Sequence, residues 1–268
     1  MADWMNTGWD ALDTAWDNVF PSSKMPRRVW MPPGTTQRFM FLDDTPESLW
    51  EHNYKWNNSW LNYEPCVVRN NIDSRCPICN AYDDRYPYFI GLFTVISMTP
   101  WFTKKTNEEV NYTRQMFGAK LGSEDKPGVL KKLRKIAEKN GGKLRGYVYD
   151  IERPGKKTES CGSEFELVEV VDGSKIKSYA MDKLSEYANR INESAPADKR
   201  ITAEKLWEKS PWEALDIKSL IKESRHSVEE LTRMFAKGGG ATIDRDGDFG
   251  GGSSGAVQEN GLDDDIPY

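Results

Sequence analysis

The sequence predicts a mainly β core with α, flanked by an N-terminal helix, a C-terminal helical extension and a disordered acidic tail. Three observations lead there. Five segments read as strands, at 37–42, 88–98, 111–117, 144–153 and 164–171, and one helical pattern is inserted among them. From 181 to 237 the apolar period becomes that of a helix. After Gly238 the composition is Gly, Ser and Asp, with too little apolar material to fold. The 268 residues suit one sizeable domain or two small ones, and an aromatic share of 12% argues against a wholly disordered chain.

The elements follow in chain order. Met5, Trp9, Leu12, Trp16 and Val19 stand at 4-3-4-3 spacing and line one helix face. Asp3 is a ready N-cap, Asp10, Asp13 and Asp17 face water, and Pro21 ends the helix. This arm, residues 1–25, either packs on its own domain or serves as a docking or self-association segment. The turn-rich "KMPRRVWMPPG" leads to the first strand, and "YFIGLFTVISM" is the second. In "PGVLKKLRKIAEK", residues 127–139, Val129, Leu130, Leu133 and Ile136 fall at helical spacing and Gly141-Gly142 stop the helix. Five strands with one inserted helix is the element list of an OB-fold-like barrel. Leu184, Tyr187 and Ile191, then Ile217, Leu220 and Ile221, then Leu231, Met234 and Phe235 mark the helical extension, about 180–237, which completes a core over 26–237. Ser227 followed by Glu230 is a capping-box pattern for the last helix, and Gly238 to Gly240 end it. The tail occupies 238–268.

The net charge of −5 is unevenly spread. Residues 243–268 hold seven acids against Arg245 alone, a balance of −6, so the remaining chain sums to +1. Residues 101–160 hold fifteen Lys and Arg against eight acids. A cationic block between acidic ends suggests a polyanionic partner and an internal mimic of it. The start "MADWMNTGWD" lacks the basic and apolar regions of an export signal, and no stretch approaches a membrane span, so a reducing cytoplasm is expected. There, four cysteines are more readily metal ligands or free thiols than disulfides.

Cys76-Pro77-Ile78-Cys79 places two thiolates where one tight knuckle can offer both to a tetrahedral ion. Cys66 lies ten residues upstream of Cys76, and His52 fourteen upstream of Cys66. The four make a closed His-Cys-Cys-Cys set for one structural Zn2+, in a subdomain at about 50–82, with no position left for a catalytic water. Two alternatives stand beside it: Cys161 replaces His52, or the CxxC pair is a redox centre without metal.

Strand alternation puts Arg145, Tyr147, Tyr149, Ile151 and Arg153 on one face of 144–153. Tyr112 and Arg114 repeat the pairing in "NYTRQMF", and Lys55, Trp56 and Trp60 supply it near the metal region. Arg69, Arg75, Tyr88, Trp101 and Lys120 complete the candidate set. Rings can stack on unpaired bases, at roughly 1–3 kcal/mol per base, while cations hold the phosphates. The plainer alternative is a half-buried sheet face. No nucleophile–base pair or open-metal arrangement is evident, so a binding protein is expected, not an enzyme.

The order His52, Cys66, Cys76, Cys79, followed by strands rich in aromatic and basic residues, resembles the single-stranded DNA-binding (helix-destabilising) proteins of T-even phages. The resemblance spans about 30–171. It implies an OB-fold core with one structural zinc and a cleft that binds single strands without sequence preference, serving replication, recombination and repair in an infected bacterial host. The C-terminal "DDDIPY" is similar to the acidic tip of bacterial single-stranded DNA-binding proteins, with Tyr268 where that tip has Phe. That likeness implies partner docking by Asp263, Asp264 and Asp265 on a basic rim and by Ile266, Pro267 and Tyr268 in a pocket, the partners being replication and recombination enzymes. Unlike the T-even pattern, the first twenty residues carry four Asp and no Lys or Arg, so cooperativity through a basic N-terminal segment is not implied and self-association along DNA stays open. A competing expectation is a zinc-containing recombination or transcription factor for duplex DNA or protein, with Lys131, Lys132, Arg134 and Lys135 as its basic helix.

Overall fold

The structure is a computed structural model that describes residues 28–56, 59–81, 87–102, 109–123, 128–155, 161–193, 195–197, 200–235 and 241–242, without the side chains of 53–63 and 241–242. The expected N-terminal arm and the tail with its tip lie outside the described residues. The strands are β1 (Thr35–Phe41), β2 (Glu47–Trp56), β3 (Ser59–Pro65), β4 (Tyr88–Ser97), β5 (Trp101–Phe102), β6 (Glu109–Val110), β7 (Thr113–Lys120), β8 (Tyr147–Arg153), β9 (Phe165–Val170) and β10 (Ala241–Thr242). The helices are α1 (Pro77–Ala81), α2 (Val129–Lys139), α3 (Ile176–Asn192), α4 (Ala203–Lys209), α5 (Ile217–Ser224) and α6 (Val228–Phe235). No described helix is long and apolar enough to cross a membrane.

Strand β4 is the hub of a mixed α/β architecture. Its first half pairs with β2, its second half with β1, and β7 runs antiparallel along its other edge from Ile90↔Lys120 to Ser97↔Thr113. β1 then pairs with β8 and β8 with β9, so all strand ladders are antiparallel. The closed OB-fold-like barrel expected from the element count is not formed. Among the described residues no ladder joins β7 to β9, and the outer side of β7 receives only the parallel bridge Arg28↔Met116. The physical reason is visible in the packing: α2 inserts Val129 and Leu133 among Phe117 and Tyr149, so a helix, not backbone pairing, fills the gap.

Both faces of the central sheet are covered, while the outer strand β9 stays largely exposed. Phe39 and Phe41 of β1 point into a ring cluster with Phe93, Phe117 and Tyr149, edge-to-face at centroid distances of 5.5–6.1 Å for the Phe41 pairs. Met40 and Leu42 point the opposite way, to Val148, Ile176, Ala180 and Trp212 beneath α3. Each fully buried large side chain contributes about 1.5–3 kcal/mol, so β1 belongs to the part of the fold hardest to open.

At the junction of sheet and N-terminal segment sits a buried ion pair. Arg28 meets Glu51 through two bonds of 2.8 and 2.6 Å, and the Tyr88 hydroxyl donates to the same carboxylate at 2.6 Å. Glu51 is fully buried. Removing the guanidinium strands a buried charge, which costs about 3–5 kcal/mol. Arg28→Ala is therefore expected to lower urea-unfolding stability by that order, with Arg28→Met/Glu51→Met recovering part of it. A single-variant loss below about 1 kcal/mol would contradict the desolvation argument.

Candidate metal centre and cation–aromatic surface

The β2–β3 hairpin sets His52 opposite Glu64, with a register shift after His52, and Cys66 follows two residues later. The Cys66 N–H donates to the Trp50 carbonyl at 2.8 Å, which holds the third strand's exit beside the His52 strand. Asn70 braces the loop: its amide donates to the carbonyls of Trp50 (2.6 Å) and Cys66 (2.9 Å) while its oxygen accepts from the Trp50 N–H (2.9 Å). Asn71 takes a φ of 56°, a left-handed conformation that asparagine adopts more readily than most residues. Pro77 opens α1 at the first helical position, where its missing N–H costs nothing, so Cys76 and Cys79 flank a single turn.

His52, Cys66, Cys76 and Cys79 bring one ligand atom each within 4.8 Å of one another. The Cys66 and Cys79 sulfurs are 3.7 Å apart, and His52 Nε2 is 3.5 Å from both Cys76 and Cys79 sulfurs. A tetrahedral ion with bonds of about 2.3 Å to sulfur and about 2.0–2.1 Å to nitrogen requires edges of about 3.8 and about 3.6 Å. Three of the donor separations match those edges, and all four donors lie close enough together to hold a metal ion. Backbone N–H groups of Val67 and Cys79 point at the Cys76 sulfur, and that of Arg69 at the Cys66 sulfur. The Cys66–Cys76 hydrogen bond holds the Cys76 thiol well below its ordinary range and pushes Cys66 up, and burial pushes Cys79 up, so only Cys76 is disposed to ionise without an ion present. Cys161, the alternative ligand, is outside this group, and burial pushes its thiol up. It packs instead against the ring cluster.

Helix α6 covers the site. Leu231 is fully buried against Cys66, Val67, Cys76 and Ile78, and Met234 and Phe235 pack beside it. The expected capping box forms, Glu230 N–H to Ser227 Oγ at 3.1 Å and Ser227 N–H to Glu230 at 2.7 Å. Just before it, His226 binds Glu64 through its backbone N–H (3.1 Å) and Nδ1 (2.7 Å).

The predicted nucleic-acid residues do not gather on one face. Tyr149 is 3% exposed and its hydroxyl accepts from the Asn140 side-chain amide at 3.0 Å inside the ring cluster, so the expected open face of β8 is a core face. Tyr147 is half-buried, its ring nearly parallel to that of Tyr149 with centroids 6.4 Å apart. Arg153 donates to the Met31 carbonyl. Lys120 lies 3.9 Å from the Tyr88 ring centre, and burial pushes its ammonium down. Tyr112, at a φ of 55°, packs on Tyr187 and Trp212, and Arg114 donates to the Glu213 carbonyl. Trp101 is half-buried beside the exposed Phe102. Arg69 stands 5.5 Å over Trp50, and Arg69, Arg75 and Arg145 are exposed. Lys55, Trp56 and Trp60 lie on β2 and β3, with side chains outside the described residues.

One group escaped the sequence reading. Along α3, Tyr179, Lys183, Tyr187 and Arg190 follow 4-4-3 spacing. Lys183 lies over Tyr179 at 5.6 Å and Arg190 over Tyr187 at 5.5 Å, while Lys177 covers Trp207 at 5.5 Å. The signal was present as helical periodicity of alternating rings and cations, a pattern sought only in strands.

Compared with family models, with characterised proteins and with solved structures, the chain finds no match.

The His226–Glu64 pair gives a pH prediction. The hydrogen bond to Glu64 raises the imidazole above its ordinary value of about 6.5. The pair's contribution is fully present below that value and is lost as pH rises through the raised folded one. The Tm difference between parent and His226→Gln is expected to be largest below about pH 6.5 and to shrink as pH rises through the raised folded value. A difference that does not vary with pH would remove the charge from the account.

Proposed function

We propose that the chain is a single-stranded DNA-binding protein of the T-even phage kind, coating single strands without sequence preference during replication, recombination and repair in an infected bacterial host. The observation that carries this reading is the convergence of His52, Cys66, Cys76 and Cys79, the same set whose order and spacing resemble that family, with one donor atom of each within 4.8 Å of the others. The ion this reading assigns is one structural zinc, because three thiolates and an imidazole fill all four positions. When bound it would cross-link the β2–β3 hairpin, the loop from Cys66 and α1, and so contribute folding free energy.

Binding itself falls to rings and cations of the chain. The exposed Phe102 with Trp101, and the half-buried Tyr147 and Tyr179, offer stacking surface. Exposed Arg69, Arg75 and Arg145 offer phosphate contacts. Cations resting on rings, as Lys183 on Tyr179, can turn to a phosphate and leave the ring to a base. In this reading the tip, Asp263 to Tyr268, recruits replication and recombination enzymes, and its carboxylates can occupy the cationic surface until DNA displaces them.

The test is a tryptophan-fluorescence titration with an unstructured single strand and with blunt duplex of equal length, at two salt concentrations. The expected result is binding at least about tenfold tighter for the single strand, weakening with salt by a slope of about 0.7 per neutralised phosphate. Equal affinity for the two, or none for either, would contradict the proposal.

A further inference from the structure

Helix α2 carries the densest cationic surface of the described residues. From Lys131 to Lys143 six cations stand against Glu138 alone. Val129 and Leu133 are the buried anchors of the helix, and Lys132, Arg134, Lys135, Lys139 and Lys143 are exposed. Lys131, Lys135 and Lys139 are four residues apart, a row with about 6 Å between successive positions. Arg134 is neutralised by Glu138 at 3.0 Å, and Lys132 is held by the Ser163 carbonyl at 2.7 Å.

We propose that this row binds the phosphate backbone of duplex DNA, so that the protein grips the junction between a single strand and its adjoining duplex. The inference rests on the single-strand reading for its biological setting, but its site is separate. Charge complementarity selects a polyanion. The choice of duplex follows from what the row lacks among the described residues: the rings that share the helix's buried cluster, Phe117, Tyr149 and Phe165, pack on its inner side with Val129 and Leu133, so none of them is offered to an unpaired base. A straight row on a rigid helix suits the regular phosphates of a duplex. The groups that read base edges are engaged elsewhere, Arg134 with Glu138 and Asn140 with Tyr149, so the contact carries no sequence information.

The test compares the parent with Lys131→Gln/Lys135→Gln/Lys139→Gln, by fluorescence anisotropy across a salt series. The probes are a single strand, a hairpin duplex carrying that strand as an overhang, and the blunt hairpin. Lys135 and Lys139 are exposed, Lys131 is half-buried with its ammonium 3.4 Å from the Ser123 carbonyl, and glutamine keeps helix propensity at all three, so the variant is expected to melt close to the parent. The parent should bind the overhang probe more tightly than the single strand, and the variant should lose that advantage. Its salt slope on the overhang probe should be shallower by about 2 to 3, at roughly 0.9 per phosphate contact, with single-strand affinity unchanged within about twofold. Equal losses on single strand and overhang probe would overturn the proposal, as would an unchanged overhang affinity, which would instead favour an acidic protein partner for the row. A parent that fails on the single strand sinks the proposed function alone, because the blunt hairpin still reads the row.

Discussion

Four donors from three separated stretches of chain meet at one point, and much of the surrounding structure is arranged to let them. His52 comes from the middle of β2, Cys66 from the end of β3, Cys76 and Cys79 from the turn that α1 closes. None of these elements has a large core of its own. β3 pairs only with β2 among the described residues, α1 has five residues, and the side-chain amide of Asn70 braces the loop from Cys66. An ion bound by the four donors would cross-link these pieces and replace the apolar burial they cannot supply. The C-terminal α6 depends on the same point, since its buried Leu231 rests on Cys66 and Cys76.

The sheet is organised by a different constraint, coverage on both faces. Because β1 sends Phe39 and Phe41 one way and Met40 and Leu42 the other, and because α2 and α3 occupy opposite sides, little of the central sheet remains for a ligand. Exposed rings and cations lie instead at the periphery: Phe102 of β5, Arg69 and Arg75 near the four candidate ligands, and the outer face of α2. Glu51, adjacent to His52, links the two regions, since its buried pair with Arg28 fixes the strand that carries the first ligand.

What was legible in the sequence depended on how local the determining physics is. The metal set was legible because ligand chemistry and CxxC spacing are properties of a few residues. α2 and the capping box of α6 were legible for the same reason, since caps and period act within two turns. The β2–β3 hairpin was missed because "ESLWEHNYKWNNSWLNYEP" is too polar to announce strands, and its pairing is stabilised by contacts with β4 and the metal loop. The alternation that put Tyr147 and Tyr149 on one face was read correctly, but not which face is inside. That is settled by Val129 and Leu133 of a helix that arrives from elsewhere in the chain. Barrel closure failed similarly: five strands and a helix can be counted, whereas whether the helix plugs the gap or the strands close it is tertiary.

X-ray absorption at the zinc edge, on protein purified without added metal, tests the metal-centred account most directly. The account predicts one zinc per chain, with three sulfur neighbours at about 2.3 Å and one nitrogen at about 2.0–2.1 Å. A shell dominated by oxygen or nitrogen, or metal-free protein that melts no lower than the metal-loaded chain, would contradict it.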